Sequence, residues 1–164
     1  MFQYHKFYLF HTYFKQWDRI LYLDSGITIF SDVSPILNEY QENRLLAHSD
    51  AYPTYVWKLY TQFIQDKVGF FDSLVRNYNL SIDYFQTTMM LFDTKIIEDE
   101  TFKNLITLAE QYPVGITNDQ AYISLYFTNV KPHWSQIRTG DDASYFYDYL
   151  SRDPLNKYIM LKAT

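Results

Sequence analysis

Apolar side chains recur at spacings of three and four from Phe7 through Phe10, Tyr13 and Phe14 to Trp17, which predicts an amphipathic helix. Ile20-Leu21-Tyr22-Leu23 follows as an unbroken apolar run that stops at Asp24, the pattern of a strand buried on both faces. Gly26 to Phe30 continues extended, and Ser34-Pro35 opens a short helix to about Tyr40, proline being accepted at a first helical position. Arg44 to His48 reads as a second strand that ends in polar Ser49-Asp50. Tyr55 to about Tyr78 is mostly helical with an interruption near Val68-Gly69. Thr88 to Phe92 is a third, buried strand within Asp83 to Asp93. Lys95 to Gln111 has helical spacing, with Ile96, Ile97, Phe102, Leu105, Ile106 and Ala109 on one side. Thr117-Asn118-Asp119 caps a last helix running to about Phe127, and Val130 to Trp134 is a short strand or ordered loop before a polar turn at Thr139 to Asp142. Strands alternating with helices predict an α/β chain with a mixed sheet flanked by helices, in a single domain over residues 1–164.

Composition narrows the class. The 13 Phe, 17 Tyr and 3 Trp argue for a large buried core and leave tyrosines for the surface. A formal charge of −5 with scattered basic residues argues against nucleic acid as a partner. With no cysteine there are no disulfides and no thiolate metal ligands. The N-terminal residues lack the pattern of a signal peptide, and no apolar run reaches the ~18 residues of a membrane span. A cytoplasmic protein is the expectation. Phosphate loops, dinucleotide fingerprints and the Gly-x-Ser-x-Gly elbow are absent from the sequence, and the histidines at 5, 11, 48 and 133 form no helical metal pair.

The chemistry concentrates at strand ends. Asp24 ends its strand where ligands bind in open α/β sheets, and Gly26, two residues on, leaves room for close approach to the backbone. A turn or cap role explains an aspartate there equally well. Asp50 stands at a second strand end. Gln86, Thr87 and Thr88 supply hydrogen-bonding groups at a strand start, where capping is the alternative. Asp119 sits in the first turn of a helix, where the helix dipole favours a carboxylate.

Tyr22-Leu23-Asp24-Ser25-Gly26 resembles the Tyr-Leu-Asp-x-Asp strand of GT-A-fold nucleotide-sugar glycosyltransferases, in particular the glycogenin and lipopolysaccharide-galactosyltransferase group. Gly26 stands in place of the second aspartate of that motif. The likeness continues in order through Phe30 to Leu37, Arg44 to Asp50, Phe85 to Asp93 (where Gln86-Thr87-Thr88 replaces Asn-Ser-Gly), Asn118-Asp119-Gln120 and Lys131-Pro132-His133-Trp134. It implies transfer of a hexose from a nucleotide diphosphate sugar, a UDP-sugar, to a glycan or protein acceptor. Donor binding would fall to Asp24, Ser25, Gly26, Gln86, Thr87, Thr88, Gln120 and Lys131. Asp119 and Asp50 would be the catalytic carboxylates, Asp119 facing the sugar and Asp50 the base that an inverting mechanism needs. A divalent cation, Mn²⁺ or Mg²⁺, would clamp the diphosphate through Asp24 and His133, either weakly for want of the second motif aspartate or not at all, the enzyme then working without a metal. A hydrogen-bonded loop histidine is the other reading of His133.

In the family a βαβ region that holds the nucleotide precedes the motif strand, whereas only Met1 to Leu23 precede Asp24 here. The resemblance therefore implies an incomplete GT-A fold, with the nucleotide-binding region supplied by a longer reading or by a partner chain or oligomer. The rival expectation is a non-catalytic, degenerate transferase-like module that binds glycan or another protein.

Overall fold

A computed structural model describes residues 2–50, 57–137, 147–148 and 160–162. Its centre is a four-stranded mixed sheet of β1 (Arg19–Leu23), β3 (Leu45–Ser49), β4 (Phe85–Asp93) and β5 (Trp134–Gln136), in the order β1-β4-β3-β5. β4 runs antiparallel to both β1 and β3, and β5 runs parallel to β3. The C-terminal ends of β1 and β3 and the start of β4 therefore share one edge of the sheet. The fold class read from the sequence is thus present, with a mixed sheet flanked by helices. A smaller sheet pairs β2 (Ile27–Ile29) with β7 (Met160–Lys162), which in turn pairs with β6 (Tyr147–Asp148).

β4 is buried along its whole length because both faces are covered. Met90 and Phe92 point into a large core with Phe7, Phe10, Tyr122 and Phe127, while Met89 and Leu91 point to a smaller one with Ile36, Leu46 and Ile137. This is the period-2 alternation of a central strand with an apolar partner on either side. β1 is different. Among the described residues it has β4 as its one sheet neighbour, and its apolar residues are only half-buried.

The helices are α1 (Ser34–Leu37), α2 (Val68–Asn77), α3 (Thr101–Gln111) and α4 (Asp119–Leu125). Four differ from the sequence expectation. The first helix is two 3₁₀ segments, Phe2–Phe10 and Thr12–Gln16, broken at extended His11, whose ring accepts a hydrogen bond from the Tyr13 amide at 3.1 Å. Aromatic residues have modest α-helix propensity, and the three-residue spacing of Tyr4, Phe7 and Phe10 suits a 3₁₀ turn, which eclipses positions i and i+3. Tyr4 and Phe7 stack at 5.1 Å. Within the long helix expected to Tyr78, a 3₁₀ turn at Leu59–Gln62 gives way to Phe63, which bridges to Gly115, before α2 begins. α3 begins at Thr101 and not at Lys95, because the Asp93 carboxylate caps a separate turn at Thr94–Ile96 and the Thr101 hydroxyl accepts from the Glu98 amide. α4 stops at Leu125 and continues as a π turn over Tyr126–Val130. The polar turn expected at 139–142 lies outside the described residues.

Candidate functional site

Three elements converge where β1 ends. β1 delivers Asp24, whose amide donates to the Thr88 carbonyl of β4 at 2.9 Å and so fixes the strand end. α4 delivers Asp119 from its first turn. The first 3₁₀ segment delivers Lys6, a residue 8% exposed, whose ammonium lies 3.0 Å from Asp24 Oδ1 and 3.9 Å from Asp119 Oδ1. Lys6 Nζ also donates to Thr87 Oγ1 at 3.1 Å and reaches the Thr87 carbonyl at 3.4 Å. A buried ammonium without partners is very costly, so this lysine is held in place by the carboxylates it meets. The Tyr22 hydroxyl donates to Asp24 Oδ1 at 2.8 Å. Burial and that carboxylate together push the Tyr22 phenol well above its ordinary range.

These groups line an open cleft of about 730 Å³ together with His5, Leu23, Ser25, Gly26, Thr117 and Asn118. Burial raises the Asp119 carboxyl above its usual pKa, an effect that Lys6 and then His5 oppose. His5 Nδ1 lies 3.9 Å from Asp119 Oδ2.

The loop before α4 is aimed by its anchors. The Thr117 hydroxyl donates to Gln62 Oε1 at 2.6 Å, and Gln120 Nε2 donates to the same oxygen at 3.0 Å. Gln120 Oε1 in turn accepts from the Thr87 amide at 3.1 Å, lacing α4 to β4. The Tyr122 hydroxyl donates to the Tyr112 carbonyl and accepts from the Gly115 amide at 2.9 Å, and burial pushes this phenol up to about 12. A Cβ at Gly115 would stand 2.8 Å from the Tyr122 ring, so glycine is required there by close approach. Asn118 has φ 51° and ψ −115°, a strained backbone for a residue other than glycine, and its side chain makes no cap hydrogen bond, contrary to the expected capping role. Strain at a cleft wall is stored by the surrounding anchors, here Gln62 and Tyr122.

The remaining sequence-predicted residues divide. Ser25 and Gly26 are exposed on the cleft wall, and Gly26 has ordinary φ with nothing within 4 Å of an added Cβ. Thr87 joins the site through Lys6, and Thr88 joins it through its carbonyl. Asp50 does not. It is buried at the end of β3, where the Tyr84 hydroxyl donates to one carboxylate oxygen at 2.5 Å and the Gln86 amide donates to the other at 2.6 Å. Lys131 and His133 precede β5 and therefore lie at the opposite end of the sheet from Asp24. His133 Nδ1 is 3.1 Å from the Asn43 carbonyl, and Lys131 pairs with Glu98 at 2.8 Å. The hydrogen-bonded loop histidine is the reading that matches this placement. Among the described residues no group of three His, Asp or Glu side chains is placed to hold a metal ion.

Sequence reading missed Lys6, Gln62, Tyr22 and Asn118. Lys6 carried one signal, a cation next to Phe7 in an aromatic segment that packs into the core.

Comparison with known proteins bears on the family and the fold. The model of the family described as glycosyl transferase family 8 matches residues 1–148. The fold is similar to that of the galactosyltransferase LgtC, solved with donor and acceptor sugar analogues, with a TM-score of 0.62 and 17% identity over 98% of this chain and 57% of that one. It is also similar to apo WbbM, a bifunctional glycosyltransferase, with a TM-score of 0.59 and 16% identity over 97% of this chain and 30% of that one. Mouse xyloside xylosyltransferase 1 in its apo form gives 0.52 and 12%, over 96% and 62%. No curated protein sequence matches the chain. The chain thus spans less than two thirds of the length of each of these structures. With the family model covering most of the sequence and the fold matching over 98% of the chain, the chain belongs to glycosyl transferase family 8 and has the GT-A fold.

Proposed function

We propose that this chain carries the sugar-binding side of a hexosyltransferase site, which transfers a hexose from a nucleotide diphosphate sugar to a glycan or protein acceptor. The observation that carries the reading is the convergence of Asp24 and Asp119 on Lys6 in one open cleft at the carboxyl end of β1. Two carboxylates against one ammonium leave that wall with net negative charge when His5 is neutral. Carboxylates are hydrogen-bond acceptors, and a hexose presents hydroxyl donors. The wall therefore suits the sugar better than the diphosphate. Asp24, Asp119 and Asn118 would hold the hexose hydroxyls, with Ser25 and Gly26 giving approach to the backbone. Gln120 and Thr87 would act by positioning α4 and Lys6.

The nucleotide would be held by a βαβ region docked along the open edge of β1. An edge strand with half-buried aliphatics is a ready template for a further strand. This region would come from a longer reading of the chain or from a partner. Asp50, tied to Tyr84 and Gln86, would be structural, which leaves Asp119 as the catalytic carboxylate of the pair.

The test is saturation-transfer NMR of the full chain with UDP-galactose and UDP-glucose. The expected result is contact at hexose ring protons that disappears in Asp24→Ala. Absence of hexose contact with either donor, also in a version extended upstream, would sink the reading. The second reading, a glycan-binding module without transfer, draws on Gly26 in the motif and on the closed Asp50–Gln86 pair. Oligosaccharide binding that is indifferent to nucleotide would favour it.

A further inference from the structure

Family-8 and GT-A glycosyltransferases generally use a divalent metal. The donor set of this cleft does not fit one. Asp24 is the one motif carboxylate, Gly26 offers no side-chain ligand, and His133 is at the far end of the sheet. The space in front of Asp24 is taken by a different cation. Lys6 Nζ sits 3.0 Å from Asp24 Oδ1, and its remaining hydrogen-bonding directions are met by the Thr87 hydroxyl and carbonyl. The same ammonium faces Asp119 at 3.9 Å and lies 5.6 Å from the centre of the Tyr22 ring, so carboxylates and an aromatic face surround it. A small divalent ion binds carboxylate oxygen at about 2 Å. On Asp24 Oδ1 it would stand within about 5 Å of the buried ammonium, given that binding length. Like charges that close in a half-buried site oppose each other strongly.

We infer that the Lys6 ammonium, and not a divalent metal ion, is the resident cation of this cleft. Lys6 neutralises and orients Asp24 from within the chain, and the site takes its ligand without Mn²⁺ or Mg²⁺. The inference concerns the same cleft as the proposed function but is read without nucleotide, so its failure and the failure of the sugar-donor reading are distinguishable.

The experiment is a Mn²⁺ titration of the full chain followed by electron paramagnetic resonance, alongside Lys6→Arg, Lys6→Met and Asp24→Asn. The wild type and Lys6→Arg are expected to show no saturable Mn²⁺ site. Lys6→Met, which leaves both carboxylates without their cation, is expected to bind Mn²⁺ at least about tenfold more tightly than the wild type. One saturable site in the wild type that Asp24→Asn removes would overturn the inference. So would a folded Lys6→Met that binds Mn²⁺ no better than the wild type. If Lys6→Met does not fold, the wild-type and Asp24→Asn titrations decide the matter.

Discussion

Asp24 and Asp50 follow parallel strands at the same strand-end side of one sheet, and their surroundings give them opposite characters. Asp24 follows β1, the edge strand, and opens onto a cleft where an ammonium and a second carboxylate face it. Asp50 follows β3, an interior strand, and has each of its oxygens taken by a buried donor from β4 or the residue before it. The difference teaches that a strand-end carboxylate becomes a candidate site through what its neighbours leave open. A tyrosine and a glutamine that reach over Asp50 make it a structural tie. A lysine that meets Asp24 from the first 3₁₀ segment holds it in place on the wall of the cleft.

This contrast breaks first if transfer does not depend on Asp24. Under the proposed hexosyl transfer, Asp24→Asn in a longer protein that contains this chain is expected to lower kcat/KM by about 100-fold or more, the effect of losing a charged group at a reacting centre. Assay of hexose transfer from a UDP-sugar checks it, and undiminished transfer would make Asp24 a structural residue like Asp50. The next effect is on stability. Asp50→Ala strands the Tyr84 hydroxyl and the Gln86 amide in a buried pocket and is expected to cost about 2–3 kcal/mol, lowering Tm by about 5–10 °C. A drop no larger than that of Asp24→Ala in the same thermal scan would erase the distinction between sealed and open.

A smaller effect concerns pH. Because burial holds the Asp119 carboxyl above its unfolded pKa, ionising it works against folding as pH rises through and above the ordinary carboxylate range. Asp119→Asn is therefore expected to be more stable than the wild type at neutral pH by about 1–2 °C in Tm, a small figure because Lys6 and then His5 oppose the effect of burial. Below the carboxylate range both states of the wild type are protonated, and the advantage should vanish. A wild type that is the more stable protein at neutral pH would mean that the Lys6 ion pair outweighs burial. The smallest expected change is in Gly26→Asp. A Cβ there meets nothing within 4 Å, so Tm should move by no more than about 2 °C, as for other surface substitutions. A larger loss would show that glycine serves the backbone at this position after all.

Much of the fold was legible in the chain. The apolar run up to Phe92 marked β4, because a strand covered on both faces must be apolar at successive positions. The run before Asp24 marked β1 as a strand, but its expected burial on both faces is not met, since these residues are only half-buried. Ser34-Pro35 marked the start of α1 for a reason local to proline. The segment from Phe7 to Trp17 was read with the wrong period. Spacings of three and four are shared by α-helix and 3₁₀ turns, and what separates them is the packing of Tyr4, Phe7 and Phe10 against α4 and β4. The end of the helix expected at Tyr78 was found, but its beginning was not, since the interruption at Phe63 depends on a bridge to distant Gly115.

The site divides along the same line. Asp24 at a strand end and Asp119 at a helix start are local facts, set by strand and helix periodicity in the sequence itself. The family likeness is also a sequence property, carried by the order of short motifs. Whether those two aspartates meet, and around what, is decided by a lysine more than a hundred residues before Asp119, which no local pattern ties to it. The placement of His133 and Lys131 away from Asp24 follows from β5 running parallel to β3, a pairing between residues almost ninety positions apart. Local sequence sets which residue types end each strand and helix, because backbone propensity and periodicity act over a few residues. Tertiary structure alone decides which of those ends face one another, because burying a charge forces partners together whatever their distance along the chain.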